Sequence, residues 1–559
     1  MRPDPGTSLL SFSHRLQLCG IGLFLGTLFF AASLTPSLIP RSPVMQGVLA
    51  GISFAIGYGL GVSLRWLWRY LELPEAGRRM RAATNIAMAV LCLGVAIWFL
   101  WRSADWQNSV RAAVDMGPVE EAHALKVCLI SIATFLILLV LARVFWIVVH
   151  RVARLARSFV PRRVANVAGF GAAALLFWLV ASDVLARSVF SILDASYSEL
   201  NALIEPERPQ PAEGYRTGSR ASLVEWEDLG RAGREFIAET PTAAEISAVT
   251  GQPAEDPVRV YVGLPSKRDH AERARLALEE LQRTGGFDRA RLVIITPTGT
   301  GWVDPAAMAA IEYLADGDVA SVALQYSYLS SPLSLLAEPE YGSEAAQALF
   351  REVYRYWRGL PRDGRPKLYL HGLSLGAMNS ERSAELFEIL GDPIEGALWS
   401  GPPFQSRIWR RITEGRKPGS PQWLPEFRDG SLVRFMNQQG SPVPADRPWG
   451  PLRVVYLQYA SDPIVFFDYR DLYRKPDWMV SPIGPDVSPK LRWYPVVTML
   501  QLALDMAFAT TPPLGYGHSY APEHYLDAWI AVADVSDLPR DRLFRLRESL
   551  ADLFREHAE

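Results

Sequence analysis

Hydrophobic and polar positions divide the chain into two unlike parts. Long apolar runs dominate up to about residue 189, and charged and polar residues are frequent beyond it. A helix of about 20 mostly apolar residues spans the hydrocarbon core of a bilayer. Five runs approach this length and predict five transmembrane helices within residues 1–189: Leu16–Ser33, Val44–Ser63, Ala83–Trp101, Val127–Val149 and Ala168–Ala186.

Basic residues are concentrated in alternate loops of this region. Arginine clusters follow the second and fourth apolar runs, at residues 65–81 and 151–163, whereas the loops after the first and third runs carry fewer basic residues. The positive-inside rule places the arginine-rich loops in the cytoplasm. Five spans and an inside N-terminus then place everything after Ala186 outside. The first run lacks a clean small-residue cleavage site and is followed by four more, which favours a retained helix over a signal peptide.

After a polar linker at residues 190–222, short β-rich runs alternate with helical patterns. Continuous apolar strands separated by helices are typical of a mostly parallel sheet covered on both faces. Residues 223–559 are therefore predicted to form one α/β domain. Its β-rich runs are Val258–Gly263, Leu292–Thr296, Val319–Gln325, Lys367–Leu370, Ala397–Ser400 and Leu452–Tyr459, and its clearest helical patterns are His270–Gln282, Pro305–Leu314 and Ser343–Trp357.

One strand of this domain ends in a motif that carries chemistry. The run Lys367–Leu370 leads through His371 into Gly372-Leu373-Ser374-Leu375-Gly376 and then into a helical pattern. Gly-x-Ser-x-Gly between a strand and a helix is the nucleophile elbow of α/β-hydrolases. The sharp turn raises the serine hydroxyl above the sheet, and glycine at both ends avoids side-chain collisions. The context predicts Ser374 as the nucleophile of a serine hydrolase.

A nucleophilic serine needs a base, and the base needs an acid that orients it. In this fold the acid and then the histidine follow the serine along the chain. Of the histidines after Ser374, His518 lies in a Gly-rich loop before a helical pattern and is the preferred base; His524 is the runner-up, and His557 is expected to be solvated. Asp462 follows a β-rich run, where ligand chemistry clusters in such sheets, and is the preferred acid. Asp468 and Asp471 are rivals that are expected to be surface charges.

The developing negative charge of an acyl-transfer reaction needs backbone N–H donors, which form an oxyanion hole. One donor should be Leu375, the residue after the nucleophile. The other should come from the loop after an earlier strand, here Pro297-Thr298-Gly299-Thr300-Gly301-Trp302, with Gly299 and Thr300 as candidates. His371 either lines the floor of the site or is a packed structural residue.

Two further segments bear on the site and on the membrane. An insertion at about residues 404–451 is rich in tryptophan and arginine, and it is expected to form a cap that either faces lipid headgroups or packs on its own domain. Tyr494–Thr511 is apolar but contains Gln501 and Asp505. A buried or interfacial helix is favoured there over a sixth span, because a sixth span would separate His518 from Ser374.

Composition excludes several other classes of function. The net charge of −2 over 559 residues gives no basic field for nucleic acid. The three cysteines all lie in the apolar runs, and neither a metal-binding cluster nor a dinucleotide fingerprint is visible, so no cofactor is expected. The sequence does not indicate an oligomeric state.

Several stretches make the chain resemble a family of bacterial membrane proteins that join a multi-pass N-terminal domain to an α/β-hydrolase domain. That family usually has Gly-Glu-Ser-Leu-Gly at the elbow, where this chain has Leu373 in place of the acidic residue. The resemblance implies a membrane-bound serine hydrolase. The matching stretches are residues 258–264, 296–305, 325–329, 401–404 and 492–498 together with Gly517-His518.

The leading hypothesis combines these expectations. Ser374, His518 and Asp462 would cleave a hydrophobic, lipid-like ester through an acyl-enzyme, at the outer face of the bacterial cytoplasmic membrane and with the bilayer as partner. An acyltransferase with the same triad and a non-catalytic membrane sensor or scaffold with the hydrolase fold are the alternatives.

Overall fold

The computed structural model describes residues 18–74, 77–180, 201, 203–205, 208–329, 331, 333–334, 340–384, 389–535 and 538–556. The chain divides into two compact units. The helical unit takes in the chain up to Val180 together with Phe467–Met479 and Val487–Phe508. The sheet unit comprises Ala181–Phe466, Val480–Asp486 and Ala509–Glu559.

Five helices are described in the helical unit before Val180. Among the described residues, α2, α3 and α4 are long and apolar enough to cross a membrane, and α1 is apolar but has only 14 residues. The predicted fifth span continues to Ala186, which lies outside the described residues, as do Leu16 and Gln17 before α1. The helices are α1 (Gly20–Ser33), α2 (Pro43–Tyr70), α3 (Arg78–Ala113), α4 (Ala124–Ala156) and α5 (Arg162–Leu179).

Glycines allow some of these helices to pack closely. A Cβ atom at Gly61 would lie 2.6 Å from the Cα atom of Gly22 on α1, and one at Gly51 would lie 2.7 Å from the carbonyl oxygen of Ser131 on α4. Such contacts exclude any side chain and bring helix backbones together, which is how helices associate in membranes.

The segment Val487–Phe508 belongs to the helical unit although it comes late in the sequence. Its helix, Val497–Met506, has ten residues and is about 15 Å long, half the thickness of a hydrocarbon core, so it is not a sixth span. Asp505 on this helix accepts a 2.9 Å hydrogen bond from Arg41 Nε, and both side chains are fully buried. The hydroxyl of Ser37 also donates to Asp505. A polar cluster therefore fixes this helix among the apolar ones.

The sheet unit is built on seven parallel strands in the order β1-β3-β2-β4-β5-β7-β6. All six neighbouring pairs run parallel, and β4, which leads to Ser374, lies at the centre between β2 and β5. Nearly every strand residue is buried, as helices on both faces require. The strands are β1 (Val258–Val262), β2 (Arg291–Thr296), β3 (Val319–Leu324), β4 (Lys367–Leu373), β5 (Gly396–Ser400), β6 (Val433–Met436) and β7 (Arg453–Leu457).

The α-helices of the sheet unit follow the predicted alternation in its first half. Two of them begin close to site residues: Leu375–Glu381 starts directly after Ser374, and Pro522–Ala533 follows the loop of His518. The α-helices that the structure describes in this unit are Gly230–Ala238, Ala243–Thr250, His270–Arg283, Pro305–Leu314, Tyr341–Gly359, Leu375–Glu381, Arg407–Glu414, Pro463–Phe466, Pro522–Ala533 and Arg540–Glu556.

The predicted cap at residues 404–451 differs from expectation in one respect. Val433–Met436 from this stretch pairs with β7 and forms an edge strand of the core sheet. The strand escapes a pattern search because it has four residues and contains Arg434, whose guanidinium stacks 3.9 Å from the ring centre of Trp449. Trp409 and Trp423 are only 3% and 8% exposed. Both rings pack within the sheet unit, as one of the two alternatives for the cap predicts, and contact of the cap with lipid stays untested.

Candidate active site

Ser374 occupies a sharp turn between β4 and the helix Leu375–Glu381. Its backbone has φ 57° and ψ −125°, a combination that a non-glycine residue adopts only under strain. Cβ atoms at the two flanking glycines would collide with backbone: at Gly372 with the carbonyl of Gly376 at 2.5 Å, and at Gly376 with the carbonyl oxygen of Thr296 at 2.2 Å. The close packing of this turn is therefore the reason for glycine at both of these positions of the motif.

The structure brings the predicted acid and base together. Asp462, in the loop after β7, is fully buried, and its Oδ2 atom lies 2.7 Å from Nδ1 of His518. The hydroxyl of Tyr520 donates to the same oxygen at 2.8 Å, and the N–H of Ile464 donates to Oδ1 at 2.9 Å. Asp462 is therefore held in one orientation and fixes the plane of the imidazole. Nε2 of His518 is buried and has no hydrogen-bond partner among the described residues.

Backbone contacts connect the serine turn to this imidazole. The N–H of Ser374 donates to the carbonyl oxygen of Ser400 at 2.9 Å. The next residue, Gly401, has φ 49°, and a Cβ atom there would lie 2.6 Å from Cε1 of His518. Ser374 and the ring of His518 therefore lie against consecutive residues at the end of β5, Ser400 and Gly401. No hydrogen bond joins Nε2 of His518 to the hydroxyl of Ser374, so the pairing of this base with the serine stays a prediction.

The predicted oxyanion donors differ in whether they already form a hydrogen bond within the protein. Leu375 is the first residue of its helix, where an N–H has no intrahelical acceptor. The N–H of Gly299 donates to the hydroxyl of Ser331 at 3.1 Å, and the carbonyl oxygen of Thr300 accepts from Gln325 at 3.0 Å. The loop lies close to the turn, because a Cβ atom at Gly376 would be 2.8 Å from the carbonyl oxygen of Pro297. A bound oxyanion would compete with Ser331 for the N–H of Gly299.

The rival histidines have other surroundings. Nδ1 of His524 shares a 2.6 Å hydrogen bond with the hydroxyl of Tyr459, and burial lowers its pKa to about 4. His371 hydrogen-bonds the carbonyl oxygen of Leu398 at 2.9 Å, and burial lowers its pKa to about 4 as well. Both are neutral packed residues. His557 lies outside the described residues.

The rival acids belong to the helical unit. They form a capping box at the start of the short helical turn Tyr469–Leu472: Asp468 accepts the N–H of Arg470, and Asp471 accepts the N–H of Asp468. Asp471 is buried, so the expectation of a surface charge is wrong for that residue.

Two buried polar neighbours of the site carried no sequence signal that marked them. Tyr520 lies two residues after His518, and its role follows only from the hydrogen bond to Asp462. Asp304 accepts a 2.9 Å hydrogen bond from Tyr525, and burial raises the pKa of Asp304 to about 6. Within the part of the chain that the structure describes, no group of three or more His, Cys, Asp or Glu residues could hold a metal ion.

A parallel sheet with a Gly-x-Ser-x-Gly turn after its central strand, and with an Asp and a His on later loops, defines the α/β-hydrolase class of fold. The chain belongs to the alpha/beta-hydrolase family: residues 258–546 match that family's model. Residues 34–241 match the model described as the alpha/beta-hydrolase family N-terminus. The resemblance noted from the sequence is thereby confirmed. No curated protein and no solved structure matches the chain.

Proposed function

We propose that the protein is a membrane-anchored serine hydrolase that cleaves a hydrophobic, lipid-like ester through an acyl-enzyme. The observation that carries this proposal is the 2.7 Å hydrogen bond between His518 and Asp462, which leaves Nε2 of His518 buried and unpaired within the described residues. Because Nδ1 is bonded to Asp462, Nε2 is the ring nitrogen that remains to accept a proton. The hydroxyl of Ser374, on its strained turn, is the group that Nε2 would serve.

The reaction follows from these positions. Ser374 Oγ attacks the ester carbonyl carbon while Nε2 of His518 takes its proton, and Asp462 stabilises the imidazolium that forms. The N–H of Leu375, with Gly299 or Thr300 as second donor, stabilises the oxyanion. When the tetrahedral intermediate collapses, the ester C–O bond breaks and His518 gives its proton to the leaving alcohol. Water, activated by His518, then releases the acid from Ser374.

The test uses a fluorophosphonate probe on the full-length protein in detergent. We expect labelling of the wild type and none of Ser374→Ala, while Asp462→Asn and His518→Ala label far more slowly. His524→Gln is the matched control, because it removes a half-buried histidine on the helix that follows the base loop, bonded to Tyr459 instead of Asp462, and it should label normally. Labelling that survives Ser374→Ala, or a wild type that never labels, would overturn the proposal and favour a sensor or scaffold.

The membrane assignment is supported by apolar surface on the helical unit. Trp101 and Phe159 are 74% and 88% exposed, and soluble proteins rarely expose many such side chains together. We propose five spans in the bacterial cytoplasmic membrane, with the N-terminus inside and the hydrolase domain outside. Alkaline phosphatase fused after the last residue should be active and a cytoplasm-dependent fluorescent reporter dark; the reverse pattern would refute this topology.

The lipid-like substrate is proposed from anchoring in the bilayer. Comparing the lipids of cells that carry the wild type with those of cells that carry Ser374→Ala should reveal an ester that accumulates only in the variant. If no lipid changes while the purified enzyme cleaves soluble esters, the hydrolase assignment stands and the lipid assignment fails.

A further inference from the structure

A second carboxylate lies beside the proposed triad and joins its two loops. Ser461, the residue before Asp462, donates its hydroxyl to Oδ2 of Asp486 at 2.6 Å. The same hydroxyl oxygen accepts the N–H of Gly517, the residue before His518, at 2.9 Å. The buried hydroxyl of Ser461 therefore links the residue before Asp462 to the residue before His518.

Asp486 is the centre of this connection. Its Oδ2 atom also accepts the backbone N–H of Ser461 at 2.9 Å and the side-chain amide of Gln438 at 3.0 Å. The amide of Gln438 donates in addition to the carbonyl oxygen of Gly515 at 3.0 Å, on the other side of the base loop. Asp486 thus bonds Ser461 directly. It is connected to Gly517 through Ser461 and to Gly515 through Gln438.

Several backbone hydrogen bonds hold the base loop, and one of them joins it to the loop of the acid. Within the loop, the N–H of Gly515 donates to the carbonyl oxygen of Ser519 at 2.7 Å. The N–H of His518 donates to the carbonyl oxygen of Ala509 at 2.8 Å. The bond from Gly517 to Ser461 is the one that connects this loop to the residue before the acid.

One oxygen of Asp486 does the holding: Oδ2 accepts all three hydrogen bonds, and Oδ1 is buried without a partner among the described residues. A serine hydroxyl has one proton, and because Oδ2 accepts that proton, a lone pair of the hydroxyl oxygen is left for the N–H of Gly517. An alanine at position 486 removes this acceptor and leaves the hydroxyl of Ser461 free to turn away. Asp486 is only 2% exposed, and no Lys, Arg or His forms an ion pair with it among the described residues. Burying an unpaired carboxylate is costly, which favours a specific role over a general one.

We infer that Ser461 and Asp486 are positioning residues that set the separation of Asp462 from His518, an inference that rests on the proposed function. They touch neither substrate nor the reacting atoms. Their effect reaches the reaction through the 2.7 Å contact between the acid and the base.

The test measures kcat and KM for a soluble p-nitrophenyl ester with the full-length protein in detergent. Ser461→Ala and Asp486→Ala should each lower kcat about 10- to 100-fold and change KM less than about 3-fold, because misplacement of a catalytic group slows chemistry more than binding. Ser461→Thr, which keeps the hydroxyl, should restore most of the rate.

The matched control is Ser431→Ala. Ser431 donates its hydroxyl and its N–H to Asp429 at 2.7 and 3.1 Å, the same arrangement on an exposed loop, and its loss should leave kcat unchanged. In an Asp462→Asn background, Ser461→Ala should cost less than about 3-fold, because the contact it serves is already weakened.

The outcomes separate the two proposals. A Ser461→Ala enzyme with wild-type kcat, or an equal loss in both backgrounds, would overturn the inference while Ser374→Ala remains inactive. Wild-type activity in Ser374→Ala would instead overturn the proposed function itself.

Discussion

Gly401→Ala tests the geometry of the site without removing any reacting group. The residue follows β5, has φ 49°, and lies against the imidazole of His518. A new Cβ atom would lie 2.6 Å from Cε1 of His518 and 2.8 Å from the hydroxyl of Tyr520. Ordinary carbon contacts are about 3.5–4.0 Å, so the ring must move by roughly 1 Å.

The expected magnitude has two parts. Alanine in the left-handed region costs about 1 kcal/mol of stability, wherever it stands. A shift of roughly 1 Å in a catalytic group costs about 100-fold in rate, which corresponds to about 2.7 kcal/mol in activation free energy. We therefore expect kcat to fall about 100-fold in Gly401→Ala, with KM changed far less.

Gly419→Ala is the matched control for backbone strain. Gly419 has φ 89°, and a Cβ atom there would meet nothing within 4 Å. Gly419→Ala should lose about 1 kcal/mol of stability in thermal unfolding and keep wild-type kcat. Gly401→Ala should lose more stability than this, because its Cβ atom also collides with His518 and Tyr520. Equal kcat values in Gly401→Ala and the wild type would refute the placement of Gly401 against the working imidazole.

Two further predictions concern stability. Burial raises the pKa of Glu381 to about 8, so the folded protein holds this carboxyl neutral, beside the hydroxyl of Ser406, while the unfolded chain ionises it near pH 4.5. The contribution of this neutral carboxyl to the free energy of unfolding is full below pH 4.5 and is lost as the pH rises toward 8. Glu381→Gln should therefore flatten the fall of the thermal unfolding midpoint across that pH range. An unchanged slope would contradict the buried neutral carboxyl. Asp505→Asn leaves the buried Arg41 without its counter-charge and should destabilise the helical unit by about 3 kcal/mol in detergent. The control Arg102→Gln breaks an exposed ion pair and should cost less than about 1 kcal/mol. Equal unfolding midpoints in the two variants would refute this difference.

The sequence patterns predicted the helices, strands and turns that depend mainly on residues close together in the chain. The strand that leads to Ser374 was expected to end at Leu370 and continues to Leu373. The turn itself was predictable, because two glycines and a serine at this spacing, between a strand and a helix, are typical of a nucleophile elbow. The edge strand Val433–Met436 was missed, because an arginine that stacks on Trp449 makes its pattern look polar. Such packing is not visible in the order of residues.

The partners of the nucleophile depend on long-range contacts. Asp462 and His518 are 56 residues apart, and His524 lies only six residues beyond the preferred base. In this fold the acid precedes the histidine along the chain, which narrowed the candidates for the base. Only the structure shows that His518 bonds Asp462, whereas His524 bonds Tyr459. The same holds for Asp486, which no motif marks.

Membership of Val487–Phe508 in the helical unit has a consequence for proteolysis. A protease that cut the linker at residues 190–222 would break one covalent connection, yet the C-terminal fragment would still carry Asp505, whose buried partner Arg41 remains on the N-terminal fragment. The two fragments should stay together in detergent after cleavage. Under the proposed membrane topology, release of the sheet unit would require extraction of that charged helix from its apolar surroundings, so a cut within residues 190–222 alone would not free it.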